Sequence, residues 1–405
     1  MSVYVLATLD TKGVEAAFVR DCLRRLEVDA RLVDTGSLGR PACAADITRE
    51  EVFKAAGTSL EEIAARQDRG EAVSTAARGA ARLIERLHAE GAVSGVLGLG
   101  GSAGTSIATS AMRALPLGVP KLMVSTLASG QVRQYVGDKD IFMLNSVVDI
   151  LGLNRISRSV LTSAAKAMAG LVALQTPPSE VVDRPLVAAT MFGVTTPCVE
   201  RARQVLEEAG YEVLVFHATG NGGQAMESLI RDGLLAGVLD ITTTELADEL
   251  VGGVLSAGPQ RLTAAAERGV PQVVSVGATD MVNFHARETV PERFADRKFY
   301  VHNPTVTLMR TTIEENRQLG AEIARKVAAS RGPAAIVLPL AGVSAIDREG
   351  GPFDDPAARA ALMEAVREHA GPIEVVDLDA HINDARFAEA AAHKLLDLIK
   401  GAAGR

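Results

Sequence analysis

Two stretches of this chain can be laid one under the other. VYVLATLDTKGVEAAFVRDCLRRLEVDARLVDTGSLG begins at Val3, and PLVAATMFGVTTPCVERARQVLEEAGYEVLVFHATGNGG begins at Pro185. Each reads as an apolar strand ending in Ala-Thr, a hydroxyl-rich turn, a helix, and a second strand ending near Thr-Gly. The pitch is nearly shared: Thr8 to Thr35 spans 27 positions and Thr190 to Thr219 spans 29. A strand that returns through a helix pairs in parallel, so this grammar predicts parallel sheets. In the first copy the helix is expected to turn Ala17, Cys22, Leu23 and Leu26 inward. The likeness continues, because LAGVLDITTTELADELVGG with VPQVVSVGATD parallels VSGVLGLGGSAGTSIATSA with VPKLMVSTLAS. The expected fold class is α/β: two similar Rossmann-like domains, each a mostly parallel sheet flanked by helices, with a cleft between them. Generic βαβ likeness is the alternative to an old duplication.

A chain of 405 residues exceeds one ordinary core, which also argues for two domains. The stretch QTPPSEVVDRP, at 175–185, concentrates prolines in a polar run and reads as the linker, giving domains 1–180 and 181–405. Apolar residues are 47% but aromatics only 3%, with no Trp, so Ala, Val, Leu and Ile must fill the cores. Residues 39–70 have weak periodicity and read as an insertion covering the sheet edge or a partner subunit. RISRSVLTSAAKAMAGLVALQ, from Arg155, reads as a domain-joining or dimer-forming helix.

Forty-two basic against 50 acidic side chains give a net charge of −8, which excludes a global attraction for nucleic acid or an anionic membrane. No window approaches 18 uninterrupted apolar residues, and the start MSVYVLATLD lacks the basic region of a signal peptide. Cys22, Cys43 and Cys198 show neither CxxC spacing nor His-rich company, which fits a reducing cytoplasm.

The densest site signal is GLGGSAGTSIATSAM, from Gly98 to Met112, directly after an apolar strand. Glycines let the backbone approach a ligand, and the free N–H groups of the following helix favour an anion. Ser102, Thr105 and Ser106 could add hydroxyl donors. A tight strand-to-helix turn without ligand needs the same composition. Gly98, Gly100 and Ala103 formally match G-x-G-x-x-A, but KLMVSTLASG ends in Ser125 and Thr126 where a dinucleotide site needs an acid, so NAD is disfavoured. No Lys follows Gly104, so the triphosphate loop motif is absent. A cation is offered instead by ATLDTKG: Lys12 for a phosphate, Thr11 as a donor, Asp10 for Mg²⁺ or a ribose hydroxyl. Capping of a helix by Asp10 or Thr11 is the plainer alternative. Three strand ends are expected to converge: Asp10–Lys12, Gly101–Thr105 and Ser125–Ser129.

These stretches, together with YVGDKDIFMLNSVVDILGLNRISRSVL, HATGNGGQAMESLIRDG, DITTTELADELVGGVL and HNPTVTLMRTT, closely resemble the UPF0261 family of Tm-1-like ATP-binding proteins. The resemblance runs almost the whole length. It implies a two-domain Rossmann-like protein that binds ATP with Mg²⁺ in the first domain and forms homodimers. The ATP-contacting segments would fall on Asp10, Thr11 and Lys12, on Thr35, on Gly101, Ser102, Ala103 and Gly104, and on the stretch holding Ser125, Thr126 and Ser129. Ala103 stands where many relatives have Gly. Plant relatives continue into a barrel domain that this chain stops before, so a separate barrel-domain protein is an expected partner.

The second half carries its own polar strand ends: His217 and Thr219, Asp240 with Thr242 to Glu245, Asp280, and His302 with Asn303. Gly220, Gly222 and Gly223 precede a helix and suggest a second anion-friendly turn, with Arg310 near another. The resulting expectation is an ATP-dependent enzyme acting on a small acidic metabolite in the cleft, with His217 or Asp280 as base. The alternative is a non-catalytic, ATP-responsive regulatory or partner-binding protein. A purely structural pairing module would bind no nucleotide. His381 and Asn383 are minor candidates for the cleft rim.

Overall fold

The structure, a computed structural model, describes residues 1–130, 132–173 and 184–403. Most of the expected linker lies outside the described residues. The chain forms two compact units, Met1–Ser179 and Glu180–Arg405.

In the first unit the order is β1 (Ser2–Ala7), α1 (Leu9–Arg25), β2 (Ala30–Asp34), α2 (Arg49–Ala55), α3 (Leu60–Arg66), α4 (Arg69–Ala89), β3 (Val93–Gly100), α5 (Ser102–Arg113), β4 (Lys121–Ser125), α6 (Arg133–Val136), β5 (Phe142–Asn145) and α7 (Arg155–Ala173). The five strands lie in the order β2-β1-β3-β4-β5, all parallel. Alternate residues of β1 enter opposite layers: Val3, Val5 and Ala7 pack with α1 and α7, while Tyr4 and Leu6 pack with α2, α4 and α5.

Two expectations need correction here, for α1 and α7, and of the two readings of residues 39–70 the sheet-edge one agrees with the structure. The inward face of α1 is Ala16, Val19, Cys22 and Leu23, at three- and four-residue steps that leave out Ala17, whereas Leu26 is 43% exposed because the helix ends at Arg25, before it. Residues 39–70 fold onto the unit's own edge strand: Val33 bridges Ile47 in parallel, and Val52 and Phe53 enter the core. Their periodicity is weak because α2 and α3 are only seven residues each, begun by capping boxes at Thr48/Glu51 and Ser59/Glu62. The apolar face of α7 (Leu161, Ala164, Ala165, Met168) is buried in the first unit's own core, so packing on its own sheet accounts for its amphipathic pattern.

The second unit runs β6 (Leu186–Met191), α8 (Thr196–Glu208), β7 (Glu212–His217), α9 (Asn221–Arg231), β8 (Gly237–Thr242), α10 (Thr244–Val251), α11 (Ala264–Arg268), β9 (Gln272–Gly277), β10 (Met281–Phe284), β11 (Phe299–Asn303), β12 (Val306–Arg310), α12 (Ile313–Ala328), β13 (Ala334–Pro339), α13 (Pro356–His369), β14 (Glu374–Leu378) and α14 (Ala385–Ala403). Its main sheet, β14-β13-β9-β8-β6-β7, is parallel and repeats the first unit's order with one strand added. A three-stranded antiparallel sheet, β10-β12-β11, is inserted before α12. Among the described residues no helix is long and apolar enough to cross a membrane.

Candidate functional site

In a sheet ordered 2-1-3-4-5, the chain leaves β1 for β2 on one side and enters β3 on the other. The loops beyond β1 and β3 therefore diverge and leave a crevice at the carboxyl ends of the strands. A cavity of about 260 Å³ occupies that crevice. It borders the start of α1 (Asp10, Thr11, Lys12), the end of β2 (Thr35, Ser37, Leu38), the start of α5 (Gly101, Ser102, Ala103, Gly104), Arg69 of α4 and Asp149. The volume is just below the usual range for small-molecule pockets, roughly 300–1,000 Å³, and suits a phosphate group better than a fully enclosed nucleotide.

The residues of the opening loop do not form a turn, as expected, but the first turn of α1, which starts at Leu9. Thr8 precedes the helix without a side-chain cap, and Thr11 and Lys12 donate their N–H groups to its carbonyl at 3.0 and 2.8 Å. Lys12 breaks the helical geometry (φ −128°, ψ 15°), which offsets this first turn from the rest of α1. The Thr11 hydroxyl pairs with that of Thr8 at 2.8 Å. The Lys12 ammonium has no hydrogen-bond or ion-pair partner among the described residues, and neither does the exposed Arg69 guanidinium.

Asp10 is differently placed. Its Oδ2 accepts from the backbone N–H groups of Leu38 (3.2 Å) and Gly39 (3.1 Å), with Arg49 Nη1 at 4.0 Å. Arg49 also donates through Nε to Asp34 Oδ2 at 2.7 Å, and Asp34 Oδ1 accepts from Leu9 and Gly36 at 3.0 and 2.9 Å. Asp34, Arg49 and Asp10 thus hold the 36–39 segment against α1.

At α5 no side chain caps the helix, so its first N–H groups are unpaired within the helix and border the cavity. The neighbouring glycines serve packing: a Cβ on Gly98 would meet Ala108 and Met123 side-chain atoms at 2.5 Å, and one on Gly100 would meet the Gly104 Cα at 2.7 Å. Thr105 and Ser125 are buried and pair through their hydroxyls at 2.7 Å, and Ser125 Oγ also accepts from Leu127 N. Thr105, Ser125, Thr126 and Ser129 are not among the cavity's lining residues: Thr105 is buried against Ser125, and the other three lie at or after the end of β4, one strand further out. Two of the three expected strand ends meet at this cavity, joined by the end of β2. Arg69, Asp149 and the supporting Arg49 were missed, because each reaches the crevice from an element whose placement only the fold defines.

The second unit fills its corresponding positions with its own side chains. Glu245 Oε1 accepts from Gly220 N (2.7 Å) and Gly223 N (3.1 Å), so the expected anion-friendly turn before α9 already holds a carboxylate. Fully buried Arg261 joins Glu245, Asp240 and Glu227. Thr242 pairs with Thr195 at 2.8 Å. Arg310 is buried against Asp347 and the Phe353 carbonyl rather than free for a metabolite. Asp280 is fully buried, with Oδ2 accepting from Ser344 at 2.8 Å and Oδ1 without a partner among the described residues. Burial, reinforced by Asp347 and opposed by Arg310, pushes its carboxyl up to about 7. His217 is exposed at the end of edge strand β7, beside Phe192. Since β6 and β8 lie between β7 and β9, His217 and Asp280 belong to strand ends about 14 Å apart. His302 and Asn303 are exposed on β11, where Asn303 Oδ1 accepts from Thr305 N. His381 and Asn383 tie the loop before α14 to Ser344 and Val194.

Residues 1–177 match the model described as "Uncharacterised protein family (UPF0261) N-terminal domain", and residues 184–399 match the corresponding C-terminal domain. A UPF0261 protein of Clostridium tetani is 49% identical over 98% of this chain and 99% of its own length. Another, from Rhizobium meliloti, is 47% identical over 98% of both. The ToMV resistance protein Tm-1(GCR237) of Solanum lycopersicum is 44% identical over 82% of this chain, which corresponds to 45% of the tomato protein.

Proposed function

The chain belongs to the UPF0261 family, and we propose that its first unit binds ATP with Mg²⁺ by the phosphates, in the crevice between β1 and β3. One observation supports this above others: two uncommitted cations, Lys12 and Arg69, and the uncapped start of α5 border a single cavity at the sheet's crossover point. Backbone N–H groups at a helix start and a lysine ammonium are the groups that recur around phosphates. In this reading Lys12 and Arg69 neutralise the outer phosphates, the N–H groups of Ser102, Ala103 and Gly104 orient them, and Thr35 and Ser37 meet the nucleotide from the β2 side. When bound, Mg²⁺ supplies further charge neutralisation.

An ATP-dependent enzyme acting on a small acidic metabolite is the first form of this proposal. A nucleotide-responsive binding protein is the second, favoured by one observation: in the second unit Glu245 occupies the α9 start and Arg310 is paired internally, so the groups expected to receive a metabolite are committed. A second copy of the chain and a separate barrel-domain protein are the proposed macromolecular partners, and the cytoplasm the proposed compartment. Calorimetric titration with ATP, ADP, AMP and NAD, each with and without Mg²⁺, tests the reading. Saturable ATP binding that weakens from ATP to AMP is expected, and preference for NAD or no binding contradicts it. Phosphate release measured with candidate carboxylic acids separates the enzyme from the binding protein.

A further inference from the structure

Two carboxylates border the cavity, and they differ in what they are free to do. Asp10 spends one oxygen on the Leu38 and Gly39 amides beside Arg49. Asp149 is exposed, and its carboxylate has no hydrogen-bond or ion-pair partner among the described residues. Its position is nevertheless fixed by the backbone around it. Ser146 N donates to the Ser125 carbonyl at the end of β4 (3.2 Å), and Gly152 N donates to Glu15 Oε1 of α1 (2.6 Å). Between these ties, Ile150 is buried in the α1 side of the core. Val147, a β-branched residue, is held at φ 65°, a left-handed conformation such residues rarely adopt, with its N–H bound to Asn145 Oδ1 at 3.2 Å. The segment thus carries Asp149 from the far edge of the sheet back over the β1/β3 crevice.

Resting on the nucleotide reading above, we infer that Asp149 is the carboxylate that meets the Mg²⁺ carried by the phosphates, and that Asp10 is a structural residue. Mg²⁺ in nucleotide sites is commonly held by one or two carboxylates together with phosphate oxygens and water. Among the described residues no three His, Cys, Asp or Glu side chains gather to hold a metal unaided, so the cation enters with the phosphates. A lone carboxylate beside polyphosphate is repulsive without a cation and attractive across one. Asp149 therefore makes the site selective for metal-loaded over metal-free nucleotide, while Lys12, Arg69 and the α5 start attract both.

The test is calorimetric titration of ATP in excess Mg²⁺ and in EDTA, on the full chain and its Asp149→Asn and Asp10→Asn variants. The wild type is expected to favour Mg–ATP by about tenfold or more. Asp149→Asn brings the ratio towards one, with metal-free ATP binding more tightly than to the wild type. Asp10→Asn lowers the thermal midpoint but keeps the ratio. A wild-type ratio retained in Asp149→Asn, or lost in Asp10→Asn instead, overturns the assignment. A wild type that binds both forms equally overturns it alone, whereas one that binds neither form removes the nucleotide reading as well.

Discussion

Arg49 lies outside the cavity, yet it braces the wall from behind: it holds Asp34 through Nε at 2.7 Å and the Gly39 carbonyl through Nη1 at 2.7 Å, and stands 4.0 Å from the lining residue Asp10. Removing a guanidinium that compensates a buried carboxylate leaves an unpaired charge. Arg49→Met is therefore expected to lower unfolding stability by roughly 3–5 kcal/mol in denaturant titrations. Lys12 has the opposite character, being half-buried and without a side-chain partner among the described residues. Lys12→Ala should leave the thermal midpoint in place and weaken Mg–ATP binding by about tenfold to a hundredfold, the worth of a charged hydrogen bond of roughly 1.5–3 kcal/mol. Binding at full strength in this variant would remove Lys12 from the site. Lys12 was legible in ATLDTKG because a charged residue just after an apolar strand stands at the ligand end of a parallel sheet. Arg49 was not, because its partner Asp34 sits on another element and only the fold brings them together.

Among the elements, the connection from β3 to α5 decides how closely a ligand can approach. Gly104 lies inside α5, where Ala would ordinarily stabilise a helix by up to about 1 kcal/mol. Here an added Cβ would stand 2.9 Å from the Leu99 carbonyl oxygen, so the helix start must move. Gly104→Ala is expected to destabilise the chain and weaken nucleotide binding together. A Cβ added at Gly170, in α7, would meet nothing within 4 Å among the described residues, and Gly170→Ala should raise stability by about 0.5–1 kcal/mol without touching binding. If the two variants shifted the thermal midpoint alike, the close approach of α5 to β3 would have no energetic meaning. The long strands and helices were readable from periodicity and punctuation. The start of α1 was not, since Leu9 N is satisfied by Asp34 Oδ1 from β2, a cap that no local sequence encodes. Ser125 misled for a related reason: its hydroxyl is consumed by Thr105, a pairing across two elements.

Across the whole chain, the two units share a strand order but not the state of their crossover regions. The first leaves cations and the start of α5 bordering a cavity, and the second closes the corresponding positions with Glu245, Arg261 and paired threonines. This difference is invisible in the aligned repeats, where both halves show hydroxyls, glycines and acids at strand ends. Buried acids in the second unit also make stability depend on pH. Asp248 and Asp280 are both pushed up to about 7 by burial, above the unfolded value of about 3.9. Their folded forms hold protons that the unfolded chain releases, so their contribution is fully present below about pH 4 and lost as pH rises through 7. Calorimetric scans should show the second unit's transition falling over that window. Asp280→Asn, which keeps an acceptor for Ser344, should flatten the fall, and an unchanged slope would clear Asp280 of it. The central claim concerns the first unit. Hydrogen–deuterium exchange of the full chain with and without Mg–ATP is expected to slow exchange at residues 9–12 and 102–104. Unchanged exchange at both helix starts under saturating nucleotide would contradict the account.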